Sequence, residues 1–242
     1  MSAAKTRASA ADAVGARSRP DPSAGASRPL RVERLGRVPY SAGLELQAER
    51  VRAVREGSVP ETLFLLEHDP VLTRGTGTDA AHLLADAAEL DRLGIELHDA
   101  GRGGDITYHG PGQLVGYPIL DLKPDRKDLH RYLRDLEEVV IRTLGRVGVE
   151  AWREEGLTGV WTARGKVAAI GVRVSSGWIT SHGFALNVAP DLAHFATIVP
   201  CGIGDREVTS LAPLLDAPPS VAEVASLAAE ETAAVFGYDL EG

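Results

Sequence analysis

The chain has 242 residues, 44% of them hydrophobic and 25% charged, with a formal net charge of −8; this suits a globular fold with a sizeable core. The acidic balance excludes a general nucleic-acid binder, which needs a basic footprint, and no apolar run approaches the ~20 residues that span a bilayer. Its one cysteine, Cys201, excludes an intramolecular disulfide and a cysteine-cluster metal site, leaving a reduced, cytoplasmic, soluble monomer as the expectation.

Residues 1–29 are rich in small residues and proline and almost devoid of large apolar side chains. Such a stretch cannot bury enough surface to offset its ordering entropy, and it lacks the apolar core of a secretory signal. It reads as a disordered extension, leaving residues 30–242 as a single domain. From Leu30, "LRVERLG" alternates as a strand does. "YSAGLELQAERVRAVREG" predicts a helix with Ser41 as N-cap and Gly57 closing it. "ETLFLLEH" predicts a buried strand followed by "PVLTRG"; a short helix at Asp86–Leu93 and a strand at "GIELHDA" come next.

A glycine-rich segment, 101–112, leads into the strand "QLVGYPILDL". The clearest helix is "DLHRYLRDLEEVVIRTLGRVG", where Leu129, Leu133, Leu136, Val140, Leu144 and Val147 share a face. Strands are expected at 149–153, 165–175 and 179–188, the last two as a hairpin. "SVAEVASLAAEETAAVFG" predicts a final helix with Ser220 and Glu223 forming a capping box. Mixed strands and helices without a repeat give an α+β class.

Three stretches carry candidate chemistry. "RGGDITYHGPGQLVGYP" sets Arg102, Asp105, Thr107, Tyr108 and His109 among glycines that let backbone approach a ligand. It is not a phosphate loop, having no Gly-Lys-Ser/Thr and no helix after it; by composition alone it is equally a glycine-rich turn. "GKVAAIGVRV" places Lys166 at the start of an apolar strand. A strand-edge lysine is ordinarily a solvated charge, but near a thiol it favours thiolate and can act as a base. In "IVPCGI", Pro200 and Gly202 set Cys201 in a turn at the end of an apolar run, where a nucleophile can be presented. A free thiol of pKa ~8.5 is a few per cent ionised at neutral pH, and a neighbouring cation raises that roughly tenfold.

Taken in order, "RGGDITYHGPGQLVGYPILDL", "GLTGVWT", "GKVAAIGVRV", "SHGFALNV" and "IVPCGI" resemble the lipoyl(octanoyl) transferases, octanoyl-[acyl-carrier-protein]:protein N-octanoyltransferases. The resemblance runs from about Leu30 to the C-terminal helix. It implies the fold of lipoate ligases and the biotin ligase catalytic domain, mixed sheets packed with helices around an acyl-binding tunnel. It also implies a catalytic dyad of Cys201 and Lys166. The acyl-binding segments it carries over are Arg102, Gly103, Gly104, Asp105, Ile106, Thr107, Tyr108 and His109; Ala169, Ile170 and Gly171; and Gly183, Phe184 and Ala185.

The implied reaction is the first step of endogenous protein lipoylation. Octanoyl (or lipoyl) passes from acyl carrier protein to Cys201 as a thioester, then to a lysine of a lipoyl domain. The implied acceptors are the lipoyl domains of 2-oxoacid dehydrogenase complexes and the glycine cleavage H protein. Thioester exchange is near thermoneutral and amide formation runs downhill, so no cofactor, ATP or metal is required. Backbone N–H groups near Gly202 and the glycine loop are candidate oxyanion donors. The rival readings are an ATP-dependent lipoate or biotin ligase on the same fold, a cysteine hydrolase, and a non-catalytic acyl-binding module. An acidic carrier meeting an acidic chain needs a local basic patch, for which Arg126, Lys127, Arg131 and Arg134 are candidates.

Overall fold

The computed structural model describes residues 28–123, 125–199 and 207–241. The chain opens with β1 (Arg28–Val38), α1 (Tyr40–Glu56) and β2 (Glu61–His68). β1 and β2 pair in parallel, so α1 is the crossover of a βαβ unit. β3 (Val71–Arg74), α2 (Ala87–Leu93), β4 (Glu96–Asp99) and β5 (Thr107–His109) follow, then β6 (Gln113–Ile119) and α3 (Leu129–Arg146). β7 (Val160–Thr162), β8 (Gly165–Val174), β9 (Thr180–Asn187), α4 (Val221–Phe236) and β10 (Tyr238–Glu241) complete it.

Two sheets form. The larger has the order β10-β1-β2-β6-β9-β8-β7 and the smaller β4-β3-β5. Both are mixed: β10-β1-β2 and β4-β3 run parallel, the remaining pairs antiparallel. Period-two alternation divides the strand residues between two layers. Leu63, Leu65, Leu114 and Leu186 face α3 and α4, joining Leu136, Val140, Val224 and Phe236 in the main core. Phe64, Leu66, Val115 and Tyr117 face α1 and Val54. The large sheet therefore carries helices on both faces, and the small sheet sits over its α1 side.

Most expected elements form, with informative exceptions. Helix α1 starts at Tyr40 with Pro39, not Ser41, in the N-cap position and no side-chain cap; proline's fixed φ suits a helix start. Residues 149–153 are not a strand: Trp152 makes one bridge to Trp161, and the chain then turns through Gly156 at φ +75°. Leu129 is 42% exposed, so the apolar face begins after it, while Val147 packs against the core from the C-cap position of α3. Arg28 and Pro29 already belong to β1; residues 1–27 lie outside the described part. Ser220 and Glu223 do make the capping box of α4. No helix among the described residues is long and apolar enough to cross a membrane.

The basic patch is largely committed elsewhere. Arg126 donates to the carbonyl of Phe236 at the end of α4 and lies 5.5 Å over its ring. Arg134 pairs with the buried Glu137 at 2.7 Å. Among the four, Lys127 and Arg131 are the exposed pair without such a structural tie, Arg131 making only a 3.9 Å contact with Asp135.

Candidate active site

A cavity of about 210 Å³ lies on the α1 side of the large sheet. Its floor follows from residue size. Strands β8 and β9 place Ala169 opposite Ala185 and Gly171 opposite Gly183, so four successive positions on one face bring almost no side chain. At Gly171 a Cβ would come within 2.9 Å of the Arg102 Cδ, so the roof sits directly on the glycine. Val115 and Tyr117 of β6 extend the floor, and Tyr40 with residues 102–109 covers it. Gly156, Leu157 and Thr158 close one side.

Arg102 builds that roof. It is 7% exposed; its guanidinium donates to the carbonyls of Gly103, Asp105 and Thr73 and to the Thr73 hydroxyl at 2.8–3.1 Å. These bonds fold the glycine loop into one shape. Twelve of the fourteen expected acyl-binding residues line the cavity; Gly103 and Tyr108 do not. In β5, Thr107 and His109 face the cavity while Tyr108 points away, its hydroxyl bonded to His194 at 2.8 Å and its ring against Phe195. The Gly103 N–H is used on the Val172 carbonyl.

Lys166 also lines this space. Strict alternation from Ala169 and Gly171 would turn it to the opposite face. The β7–β8 register prevents this: Val160 pairs with Ala168 and Trp161 with Lys166, leaving Val167 as an extra residue. Such a bulge re-aims the side chain beyond it. Lys166 is 7% exposed, with Nζ 5.5 Å from the Trp161 ring centroid. Gly159, at φ +130°, makes room: a Cβ there would stand 2.5 Å from Lys166 Cε. The Gly159 N–H is in turn held by the buried carboxylate of Glu137 at 3.1 Å, itself bonded to Arg134 and Arg153.

The chain on either side of residues 200–206 is anchored at the same place. Lys166 N–H donates to the Glu207 carbonyl and Thr209 N–H to the Lys166 carbonyl, both at 2.9 Å; on the other flank, Val199 N–H donates to the His82 carbonyl at 2.8 Å. Cys201, Pro200 and Gly202 lie outside the described residues.

A cluster of aromatic rings lines another part of the cavity. His109 stacks on Tyr40 with centroids 6.2 Å apart and bonds Gln113 at 2.7 Å. Burial, and secondarily the charge of a protonated His68, pushes its pKa down to about 3. His182 is lowered to about 4 by burial and then by Arg102. His68, within ring contact of both His109 and Tyr117, is likewise lowered by burial. At neutral pH this part presents uncharged rings, compatible with an acyl tail. Among the described residues, no group of three or more imidazole, carboxylate or thiol groups is arranged to hold a metal ion.

Tyr40, Val115, Tyr117, Gly156, Leu157, Thr158 and His182 line the site without having been expected there. Val115, Tyr117, Gly156, Leu157, Thr158 and His182 lie within the quoted glycine motifs; Tyr40 carries no signal in sequence beyond ordinary apolar spacing.

A family model described as the lipoyl protein ligase A/B catalytic domain matches residues 39–233. The octanoyltransferase of Rubrobacter xylanophilus is 56% identical over 184 residues, 75% of this chain and 82% of that protein. That of Acidobacterium capsulatum is 49% identical over 226 residues, 87% and 92% of the two chains. Among solved structures, lipoate-protein ligase A bound with ATP superimposes with a TM-score of 0.68 at 17% identity, covering 89% of this chain and 87% of its own. Biotin protein ligase from Aquifex aeolicus gives 0.51 at 15%, covering 86% and 70%. At these identities the structures speak to fold, and the fold is the expected one.

Proposed function

This chain belongs to the octanoyltransferase family, and we propose that it transfers octanoyl in protein lipoylation, from acyl carrier protein to a lysine of a lipoyl domain, through a thioester on Cys201. The observation that carries the reading is a partly open, mostly apolar cavity with a buried amine on its wall. An apolar cavity of roughly 150 Å³ holds a benzene; about 210 Å³ accommodates roughly eight heavy atoms on that scale.

In this reading the Cys201 thiolate attacks the donor carbonyl and releases the carrier's thiol. Lys166 favours the thiolate by its charge and relays the thiol proton. The uncharged rings of His109, His182, Tyr40 and Tyr117 receive the tail. The acyl-enzyme then passes its octanoyl group to the acceptor amine. Arg102 shapes the site, its two terminal guanidinium nitrogens being committed to the loop carbonyls and Thr73.

Incubating the protein with octanoyl carrier protein should add an octanoyl mass to Cys201, and Cys201→Ser should lose both adduct and transfer. If lipoyl domain is modified only when free octanoate and ATP are supplied, the chain is a ligase and this reading fails. Retention of full function by Cys201→Ser would instead make it a non-covalent acyl binder.

A further inference from the structure

Amide formation has a proton balance that one buried base does not close. A lysine acceptor, of pKa near 10.4, arrives as R–NH3+ at neutral pH. Two N–H bonds break, the C–N bond forms and the C–S bond breaks. One proton ends on the departing sulfur and the other must reach solvent. Lys166, relaying the sulfur's proton in the reading above, is 7% exposed and sits over Gly159. The second proton needs an acceptor nearer water.

A pair beside the cavity wall offers one. Asp105 lines it and divides its carboxylate: Oδ1 accepts the Ile106 N–H at 2.7 Å and Oδ2 meets His82 Nδ1 at 2.5 Å. Because a carboxylate only accepts, the shared proton belongs to Nδ1, so in the neutral imidazole Nε2 carries the lone pair. This is a base held in its accepting tautomer by an orienting carboxylate, as in a catalytic triad. The His82 and Asp105 side chains are 26% and 14% exposed, so both reach solvent more than Lys166 does. His82 ends a 3-10 turn, Ala80–His82, capped by Asp79, and its carbonyl anchors Val199 on one flank of residues 200–206. Lys166 anchors Glu207 on the other.

We propose that His82, oriented by Asp105, is the general base that takes the second proton from the incoming lysine ammonium and passes it to water. This rests on the Cys201 reading. The test compares two acceptors in His82→Gln, whose amide can still donate to Asp105 but cannot carry a proton. Octanoyl-enzyme should form at the wild-type rate. Its transfer to the lipoyl-domain lysine should slow by about 10²–10⁴-fold, the usual range for losing a general base. Hydroxylamine arrives uncharged and has only one proton to lose, so its reaction with the acyl-enzyme should keep the wild-type rate. Asp105→Asn, which disturbs the tautomer, should slow the same step.

Equal slowing with both acceptors, slowed acylation, or no slowing at all overturns the proposal and makes the pair a structural tie. Failure of the wild-type protein to form any octanoyl-enzyme would defeat the Cys201 reading beneath it.

Discussion

The two faces of strands β8 and β9 do opposite work with residues one position apart. On the helical face, Ala168, Val172 and Leu186 join α3 and α4 in the main core. On the other face, Ala169, Gly171, Gly183 and Ala185 floor the cavity. Binding space here is made by leaving side chains out of a sheet whose stability is supplied from behind. Substitutions on one face should therefore be read in activity, and on the other in stability.

The sharpest break of that contrast is at Lys166, the residue a bulge transfers to the cavity face. Lys166→Met keeps most of the stem packing and removes the amine. Octanoyl transfer should fall by about 10²–10⁴-fold while the thermal midpoint stays close to wild type. A collapse of the midpoint would show that the lysine is structural. Leu186→Ala, on the helical face and fully buried, should do the converse. It should cost about 2–5 kcal/mol of stability, read by urea unfolding, with kcat retained below the transition; a loss of kcat would mean that the faces are coupled.

Much of this was legible in sequence, for reasons that can be named. Alternation and helical spacing locate the long elements, because β6, β8, β9, α3 and α4 each bury a face. Small residues at alternate positions mark the cavity floor, and the glycine loop marks its roof. What stayed hidden depends on register. Whether Lys166 faces the cavity turns on one extra residue opposite a three-residue strand, and no local pattern encodes that. Arg126 looked like part of a docking surface, yet its partner is the Phe236 carbonyl, 110 residues away. His82 and Asp105 meet across 23 residues, a contact only the fold reveals.

Filling the floor sharpens the comparison further. Ala185→Leu would place a branched chain where the cavity is lined by Ala185 and Ala169. Each methylene in such a pocket is worth about 1–3 kcal/mol in discrimination. Transfer of octanoyl should therefore fall by roughly 10–200-fold relative to butanoyl, measured as the ratio of kcat/KM values. An unchanged ratio would place the acyl chain elsewhere.

The smallest effect is one of acidity, and it separates the two faces by chemistry. The cavity holds His109 and His182 with pKa values pushed down to about 3 and about 4, against 6.5 in an unfolded chain. Below 6.5 the unfolded chain binds protons that the folded protein refuses, so each imidazole contributes stability that is complete above that pH. This contribution is lost as pH falls toward the folded value, at up to about 1.4 kcal/mol per pH unit. Urea midpoints should decline between pH 6.5 and 4.5, and His182→Gln should lower the slope by about one proton's worth. The Leu186→Ala protein, less stable throughout, should keep the wild-type slope, because its lost contacts carry no titrating group. If His182→Gln leaves the slope unchanged, the imidazole in that part of the cavity is already solvated, and the proposed dry seat for the acyl tail does not exist.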